Sequence, residues 1–266
     1  MPKIKNNQNV SIVTITQLSR FKCIQVLFLM IQRQTYKNIK EWIIVEGSQL
    51  KTDADKNKDN IKQFISEIKS QVYFTIKYIE YTGKKLGGLR NVGNKSCSGD
   101  IIVCMDDDDY YPRERVEEAV KRLTFSNYLI AGVSDIYLYD VFLDKLFKFN
   151  RGFWNNHSTN NCMAYKKKYL LDHTYDPDKE FAEEGHFTFN FTSPLVKLDP
   201  RKTIICISHD INTVSKTHFC LGAIDGSLNI LDEIKEPITN YIEEDIFERM
   251  KVLYKKEDSL CKQYNN

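Results

Sequence analysis

The sequence lacks a strong net charge: 38 Lys and Arg stand against 36 Asp and Glu, which gives a formal charge of +2. Proteins whose main partner is nucleic acid usually concentrate basic charge. The charge balance therefore excludes nucleic acid as the expected partner. Apolar residues make up 42% of the 266 residues, enough for a substantial core, so the composition also excludes global disorder.

No CxxC pair occurs, although the chain contains seven cysteines. An odd and dispersed set of this kind indicates free thiols in a reducing compartment, and argues against a disulfide framework or a zinc site. The cysteines are Cys23, Cys97, Cys104, Cys162, Cys206, Cys220 and Cys261.

Long hydrophobic runs are also missing. Residues 1–9 lack the apolar segment of a signal peptide, and the strongest apolar run, residues 26–31, is far shorter than the roughly 20 residues that span a bilayer. These absences predict a soluble, cytoplasmic protein without a transmembrane segment. The Asn, Lys and Ile content suggests a microbial or viral source.

Neither an internal repeat nor a Pro/Ser/Gly-rich linker divides the chain. We expect one domain over residues 1–222, with a nucleotide-binding half at 1–125 and an acceptor-binding half at 126–222. The charged, amphipathic segment 223–266 is expected to be a C-terminal helical appendage.

The first half alternates strands and helices. A β-branched run at 10–16 predicts a first strand, residues 21–34 predict a buried helix, and residues 41–45 predict a second strand. Strand, helix and parallel strand begin a doubly wound α/β sheet. Further predictions are a charged loop at 51–60, a helix near 61–68, a strand at 72–81, a short helix within 83–99, a buried strand at 100–105 and a helix after Pro112.

The second half is less regular. It predicts antiparallel strands at 128–133, 135–139 and 146–149, a polar loop at 155–161, a helix at 180–191, a strand at 203–208 and helical structure from 233. The loop at 155–161 and Trp154 are candidates for lining an acceptor cleft, because aromatic faces suit sugar rings; Trp154 is equally a candidate core residue.

Four consecutive aspartates, Asp106 to Asp109, follow the apolar run at 100–105. Adjacent carboxylates raise one another's pKa and oppose folding, so a compensating partner is expected. Mg²⁺ and Mn²⁺ prefer oxygen ligands and often bridge carboxylates to phosphate. The alternative is a solvated acidic turn in which Asp109 caps the next helix. The position at the carboxyl end of a predicted parallel strand favours a ligand site.

Several motifs in order resemble family 2 glycosyltransferases of GT-A fold. They are VSIVT at 10–14, QTYKN at 34–38, EWIIVEGS at 41–48, GLRNVGN at 88–94 and GDIIVCM at 99–105, followed by the aspartates. The resemblance is strong over 10–120, weaker to about 215 and absent beyond. It implies a GT-A type α/β fold, with a mixed, mostly parallel central sheet flanked by helices.

The resemblance also implies nucleotide contacts. The end of the first strand, Thr14 and Thr16, is expected to contact the nucleotide. The family commonly has Asp-Gly-Ser after the second strand, where this chain has Glu46, Gly47 and Ser48. Glu46 is therefore the expected base contact or, alternatively, only the end of a strand.

Other implied contacts involve the diphosphate and the metal ion. Arg90 is expected at phosphate or base, or paired with an aspartate, and Asn91 is expected to fix its loop. Asp106 is expected to touch ribose or metal, and Asp108 to coordinate metal. Asp107, also assigned to the donor, and Asp109 support the site or replace that pair if the register shifts by one residue.

The catalytic base of inverting members lies in an acidic pair in the acceptor half. Glu184, with Glu183 before it, is the candidate; the alternative is a pair that merely complements a helix dipole. Asp176 and Asp178 are outside candidates. His209, after the strand at 203–208, is the expected histidine that holds metal or diphosphate.

The resemblance thus implies an enzyme that uses Mn²⁺ or Mg²⁺ to transfer a sugar from a nucleoside diphosphate sugar, expected to be a UDP-sugar, to a hydroxyl acceptor with inversion. Two alternatives stay open. Residues 87–90 faintly resemble the phosphate loop of nucleotidyltransferases, although that loop normally follows the first strand. A non-catalytic sugar-nucleotide-binding module is the other alternative.

Overall fold

The computed structural model describes residues 8–48, 54–83, 85–150, 156–210, 212 and 216–254. Trp154 and Cys261 lie outside these ranges. The strands are β1 Val10–Thr16, β2 Ile39–Glu46, β3 Thr75–Glu80, β4 Ile101–Cys104, β5 Ile130–Gly132, β6 Tyr137–Asp140, β7 Lys145–Phe149, β8 Ala164–Lys166, β9 Leu195–Lys197, β10 Ile205–Ser208 and β11 Leu231–Ile234.

The α-helices are α1 Phe21–Gln32, α2 Ala54–Ile68, α3 Leu86–Ser96, α4 Arg115–Thr124, α5 Glu184–Phe187, α6 Pro200–Thr203, α7 Thr217–Asp225 and α8 Glu244–Tyr254. Short 3₁₀ turns lie at Leu18–Arg20, Lys69–Gln71, Asn160–Cys162, Lys167–Leu171 and Ile238–Asn240. No helix in the described ranges is long and apolar enough to cross a membrane.

The larger sheet has the strand order β3-β2-β1-β4-β8-β5-β9. Strands β3, β2, β1 and β4 run parallel, and β8 pairs antiparallel with both β4 and β5. The smaller sheet has the order β10-β6-β7-β11. The sequence-based expectation of a mixed, mostly parallel central sheet with flanking helices is confirmed.

The core of the larger sheet is apolar on both faces, as expected for parallel strands covered by helices. Trp42 of β2 is fully buried and stacks on Phe28 of α1, with ring centroids 6.3 Å apart. Its indole Nε1–H donates to the Thr14 hydroxyl at 2.9 Å, which satisfies a polar group that burial would otherwise leave unpaired.

Two predicted elements differ from the structure. Residues 54–60, expected to be loop, form the first turns of α2, because a helix with Ile61 and Ile65 on its buried face tolerates charge elsewhere. The predicted helix at 180–191 is helical only over α5. It ends where the Thr188 hydroxyl donates back to the Glu184 carbonyl, and residues 189–191 then adopt positive φ.

The segment after residue 222 contains the expected amphipathic helix, α8, and also strand β11, which was not expected. β11 pairs antiparallel with β7, and α8 packs on α1. The division into a domain at 1–222 and an appendage stays a prediction. Each of the six described cysteines is buried and free of disulfides, in agreement with the expectation of free thiols.

Candidate active site

The four aspartates lie where the strand order of the larger sheet reverses. β2 and β3 extend from one side of β1, whereas β4 pairs with its other side, so the carboxyl ends of β1 and β4 meet. Such a switch point is where open α/β sheets bind ligands. Thr16 at the end of β1 donates its hydroxyl to Asp107 Oδ2 at 2.6 Å, which joins the two strand ends.

Asp106 forms a bidentate ion pair with Arg90 of α3. Arg90 Nη1 and Nη2 lie 2.5 and 2.9 Å from the two carboxylate oxygens of Asp106. The same guanidinium reaches Glu183 through Nε, 3.2 Å from Oε1. Although burial opposes the charge on Arg90, Asp106 and Glu183 raise its pKa well above the ordinary value. Arg90 therefore connects the aspartate turn to the acidic pair.

Asp107 and Asp108 share a second arginine, Arg20, just before α1. Its Nη1 atom lies 3.1 Å from Asp107 Oδ1 and 3.1 Å from Asp108 Oδ2. Burial raises the pKa of Asp107 to about 7 despite Arg20. For Asp108, burial also opposes ionisation, but Arg20 and His209 outweigh it and hold the pKa below its usual range. Asp108 is thus the aspartate whose charged form the site stabilises.

His209 follows β10 and faces Asp108. Its Nε2 atom lies 3.5 Å from Asp108 Oδ2, and its side chain is fully buried. The Asn212 amide nitrogen lies between the two, 2.9 Å from His209 Nε2 and 3.2 Å from Asp108 Oδ2. Within the described ranges, no three or more His, Cys, Asp or Glu side chains come together as a metal site. Asp108 and His209 are the two side chains at this point that could share one metal ion.

Asp109 points away from this pair and into the fold. Its Oδ1 accepts the Ile207 backbone N–H at 2.9 Å, and its Oδ2 accepts the Asn161 amide at 2.6 Å. The Lys216 ammonium lies nearby, 3.0 Å from Cys206 Sγ. The hydrogen bonds of Asp109 make it a structural link between the aspartate turn and β10.

The acidic pair lies at the start of α5. Asn160 holds both members: its side-chain amide donates to Glu183 Oε1 at 2.8 Å, and its backbone N–H donates to Glu184 Oε1 at 3.2 Å. Glu183 is 3% exposed and tied to Arg90. Within the described ranges no arginine forms an ion pair with Glu184, and burial together with the charge of Glu183 raises its pKa to about 7.

Of the predicted nucleotide contacts, Thr14 is fully buried and donates its hydroxyl to the Met105 carbonyl at 2.7 Å. This geometry does not support a contact between Thr14 and a nucleotide. Glu46 accepts the Ser48 backbone N–H and so closes its own turn. A Cβ on Gly47 would lie 2.5 Å from the Leu89 side chain, so the turn and α3 approach closely there.

Asn91, also on α3, fixes the loop that leads to the acidic pair. Its amide donates to the Tyr175 carbonyl at 2.8 Å, and its carbonyl accepts the Tyr175 backbone N–H at 3.0 Å and the Thr174 hydroxyl at 2.9 Å. Arg90 and Asn91 therefore have different roles: Arg90 contacts carboxylates, and Asn91 positions a loop.

The sequence-based interpretation missed Arg20, Asn212 and Tyr254, and it included Asn160 only as part of the polar loop at 155–161. A basic residue directly after the first strand could have pointed to Arg20, because that strand end meets the aspartates. Nothing in the local sequence distinguishes Asn160 from its polar neighbours. Asn212 lies in a local turn with His209, three residues earlier, whereas Tyr254 reaches the site only through long-range packing.

The chain belongs to the family described as glycosyl transferase family 2, whose model matches residues 11–191. A 90-residue stretch is 33% identical to glycosyltransferase GlyA of Streptococcus pneumoniae serotype 4 (strain ATCC BAA-334 / TIGR4), and covers 34% of this chain and 12% of that protein.

Solved structures show the same fold. TarS of S. aureus matches with a TM-score of 0.56 and 16% identity over 75% of this chain and 36% of that one. The mannosyltransferase PcManGT of Pyrobaculum calidifontis, solved in complex with GDP-Man and Mn²⁺, matches with a TM-score of 0.55 and 14% identity over 82% of this chain and 60% of that one. The chain thus spans only part of each of these proteins.

Proposed function

We propose that the protein is a metal-dependent glycosyltransferase that moves a sugar from a nucleoside diphosphate sugar, a UDP-sugar, to an acceptor hydroxyl with inversion at the anomeric carbon. One observation carries the proposal: Arg90 contacts Asp106 on one side and Glu183 on the other. The donor-side aspartates and a carboxylate with a raised pKa, Glu184, therefore belong to one connected cluster.

Asp108 and His209 fit a divalent ion. Two ligands about 2.1 Å from one ion and roughly at right angles lie about 3 Å apart, close to the 3.5 Å between Asp108 Oδ2 and His209 Nε2. Two protein ligands suffice, because such ions usually complete their shell with substrate phosphate oxygens and water. Bound there, Mn²⁺ or Mg²⁺ would offset negative charge on the leaving diphosphate. Asp106 is the weaker ligand because Arg90 contacts both of its carboxylate oxygens, whereas Arg20 and Asn212 contact Asp108 through Oδ2. Asp106 is the better candidate for a ribose contact.

Glu184 is the proposed general base. As the acceptor oxygen bonds to the anomeric carbon, the bond from that carbon to the diphosphate oxygen breaks, and the acceptor proton passes to Glu184. A pKa near 7 suits a base at neutral pH, because the ionised form is available and still basic enough to take a proton. Glu183, which is paired with Arg90, shares Asn160 with Glu184 and so helps to position the proposed base.

Two solved relatives of the fold support a nucleotide sugar as donor. TarS has been solved in complex with UDP-GlcNAc, and GalNAc-T7 with UDP, GalNAc and Mn²⁺. Glu46 and Gly47 lie at the end of β2 and are the proposed nucleoside contacts of this chain. Thr16 is 1% exposed and donates its hydroxyl to Asp107, so its proposed role is to position that aspartate. PcManGT was solved with GDP-Man, so the identity of the donor's nucleobase needs a direct test.

A donor panel tests the proposal. Calorimetric titration with UDP-, GDP- and dTDP-sugars, with and without Mn²⁺, is paired with an assay for released nucleoside diphosphate. We expect Mn²⁺-dependent binding and slow hydrolysis of a UDP-sugar, both lost in Asp108→Ala. Binding without hydrolysis or transfer to any acceptor would indicate a binding module. Pyrophosphate release from a nucleoside triphosphate would instead indicate a nucleotidyltransferase.

A further inference from the structure

The last residue of α8, Tyr254, lies against the two proposed metal ligands although it is more than 40 residues away from either in sequence. Its ring stacks on the His209 imidazole, with centroids 4.0 Å apart and planes 3° from parallel. Its hydroxyl donates to the Asp108 backbone carbonyl at 3.1 Å. Only 2% of Tyr254 is exposed. One buried side chain therefore contacts both proposed ligands from within the fold.

These contacts restrict rotation of the His209 ring and movement of the Asp108 backbone, either of which would separate the two proposed metal ligands. Stacking fixes the plane of the His209 ring and hence the direction of Nε2, while the hydrogen bond fixes the backbone of Asp108. Groups that orient metal ligands in this way contribute substantially to metal affinity, because the ligands no longer have to be ordered when the ion binds.

Helix α8 is itself firmly held. Arg33 lies 2.7 Å from Glu243 Oε2 and 2.5 Å from Asp245 Oδ2, just before and at the start of the helix. Phe247 packs edge-on against Tyr139 of β6, with centroids 5.3 Å apart. The helix is thus held against the end of α1 and against the smaller sheet, and these contacts fix the position of Tyr254.

We propose that Tyr254 is a positioning residue for the Asp108–His209 metal pair, and that α8 is consequently a part of the donor site. This inference rests on the proposed function. It assigns to the C-terminal segment a role in metal affinity that does not require any contact between that segment and the substrate.

Direct binding of Mn²⁺ tests the proposal. Electron paramagnetic resonance of free Mn²⁺ gives its dissociation constant at fixed UDP for the wild type, Tyr254→Phe, Tyr254→Ala and Val252→Ala. Tyr254→Phe keeps the stack and removes the hydrogen bond, so we expect Mn²⁺ to bind about three- to tenfold more weakly. Tyr254→Ala removes both contacts, and we expect a loss of about 10- to 100-fold. Val252, 81% exposed on the same helix, is the matched control and should leave the constant unchanged.

Circular dichroism and thermal unfolding of each variant separate positioning from folding. If Tyr254→Ala does not fold, Tyr254→Phe decides, since it preserves the ring. Normal Mn²⁺ affinity in Tyr254→Phe and in a folded Tyr254→Ala would overturn the inference about Tyr254 but leave the proposed metal site standing. A wild type that binds no Mn²⁺ with UDP would overturn the proposed metal site, and this inference with it.

Discussion

At the scale of single residues, chemically identical carboxylates differ because their partners differ. Asp107 and Asp108 are neighbours and share Arg20, yet burial raises the pKa of the first, whereas Arg20 and His209 lower that of the second. The acidic pair is divided in the same way: Arg90 contacts Glu183, and Glu184 retains a raised pKa. Environments that separate the pKa values of adjacent acids are typical of sites that need one charged and one proton-accepting group.

The first prediction concerns Glu184. Glu184→Gln keeps the size of the side chain and removes the base, so we expect donor binding to persist while kcat falls by about 100- to 10,000-fold. Because Glu184 must be ionised, wild-type kcat/KM should rise about tenfold per pH unit below pH 7 and level off above it.

Steady-state kinetics between pH 5.5 and 8.5 check this prediction, with the exposed neighbour Glu180 as matched control. Glu180→Gln should behave as the wild type. The pKa of Asp107 is also about 7, so Asp107 could produce the same fall in activity at low pH. If Glu184 is responsible, the residual activity of Glu184→Gln should no longer fall as the pH drops below 7. Wild-type turnover in Glu184→Gln would rule out the base assignment.

At the scale of elements, the parallel half of the fold could be predicted well from sequence. Strand β1 is rich in β-branched residues, and β2 and β4 contain the apolar runs WIIV and IIVC. The order of these strands defines the switch point that brings Thr16 to Asp107. The aspartates and the acidic pair could be predicted from their motifs. Which partner each carboxylate contacts could not be predicted from sequence, since each partner is an arginine or asparagine from another element.

The mispredicted elements differ from expectation for different reasons. Strand β11 is short and polar at two of four positions, and it exists because β7 offers an open edge. The segment after α5 has positive φ at Phe189, Asn190 and Phe191, a conformation that periodicity does not indicate. The Asn190 backbone N–H donates to the Gly185 carbonyl at 2.6 Å and folds this segment back onto α5.

Two adjacent glycines of α3 give the second prediction. A Cβ on Gly87 would lie 1.9 Å from the backbone carbonyl oxygen of Asp176, so Gly87→Ala must push apart α3 and the loop that leads to Glu183. We expect a loss of about 1–3 kcal/mol in the free energy of unfolding. Donor turnover should also fall, because Arg90 and Glu183 move relative to each other.

Urea unfolding measures the effect, and Gly88→Ala is the matched control. A Cβ there meets nothing closer than 3.5 Å, so the substitution should be neutral or stabilise the helix by up to about 1 kcal/mol. Equal stabilities for the two variants would show that the loop accommodates the methyl group at Gly87 and that the close approach is not required.

At the scale of the whole molecule, the aspartate turn joins the two sheets. Tyr110 exchanges backbone hydrogen bonds with Ile205 at 3.0 and 2.9 Å, and Asp109 accepts the Ile207 N–H from the same strand, β10. The candidate site therefore lies where the larger and smaller sheets meet. Asp109 links the two sheets there, whereas Asp108 is the aspartate proposed to bind metal.

The last prediction separates these two roles. Asp109→Ala leaves the buried Ile207 N–H and the Asn161 amide without their acceptor, so we expect the free energy of unfolding to fall by about 2–4 kcal/mol. Asp109→Asn should lose less, because its amide oxygen can still accept from Ile207. Asp178→Ala, at a carboxylate that is 83% exposed, should stay within about 1 kcal/mol of the wild type.

Urea unfolding followed in parallel by tryptophan fluorescence and far-ultraviolet circular dichroism provides the measurement. In a Trp154→Phe background, fluorescence reports on Trp42, which is buried in the larger sheet, whereas circular dichroism reports on both sheets. Coincident transitions would show that the two sheets unfold as one unit. If Asp109 closes the joint, its alanine variant should lower the midpoint or split the two transitions. Wild-type stability with coincident transitions in Asp109→Ala would mean that the backbone pairing of Tyr110 with Ile205 holds the sheets together without the carboxylate.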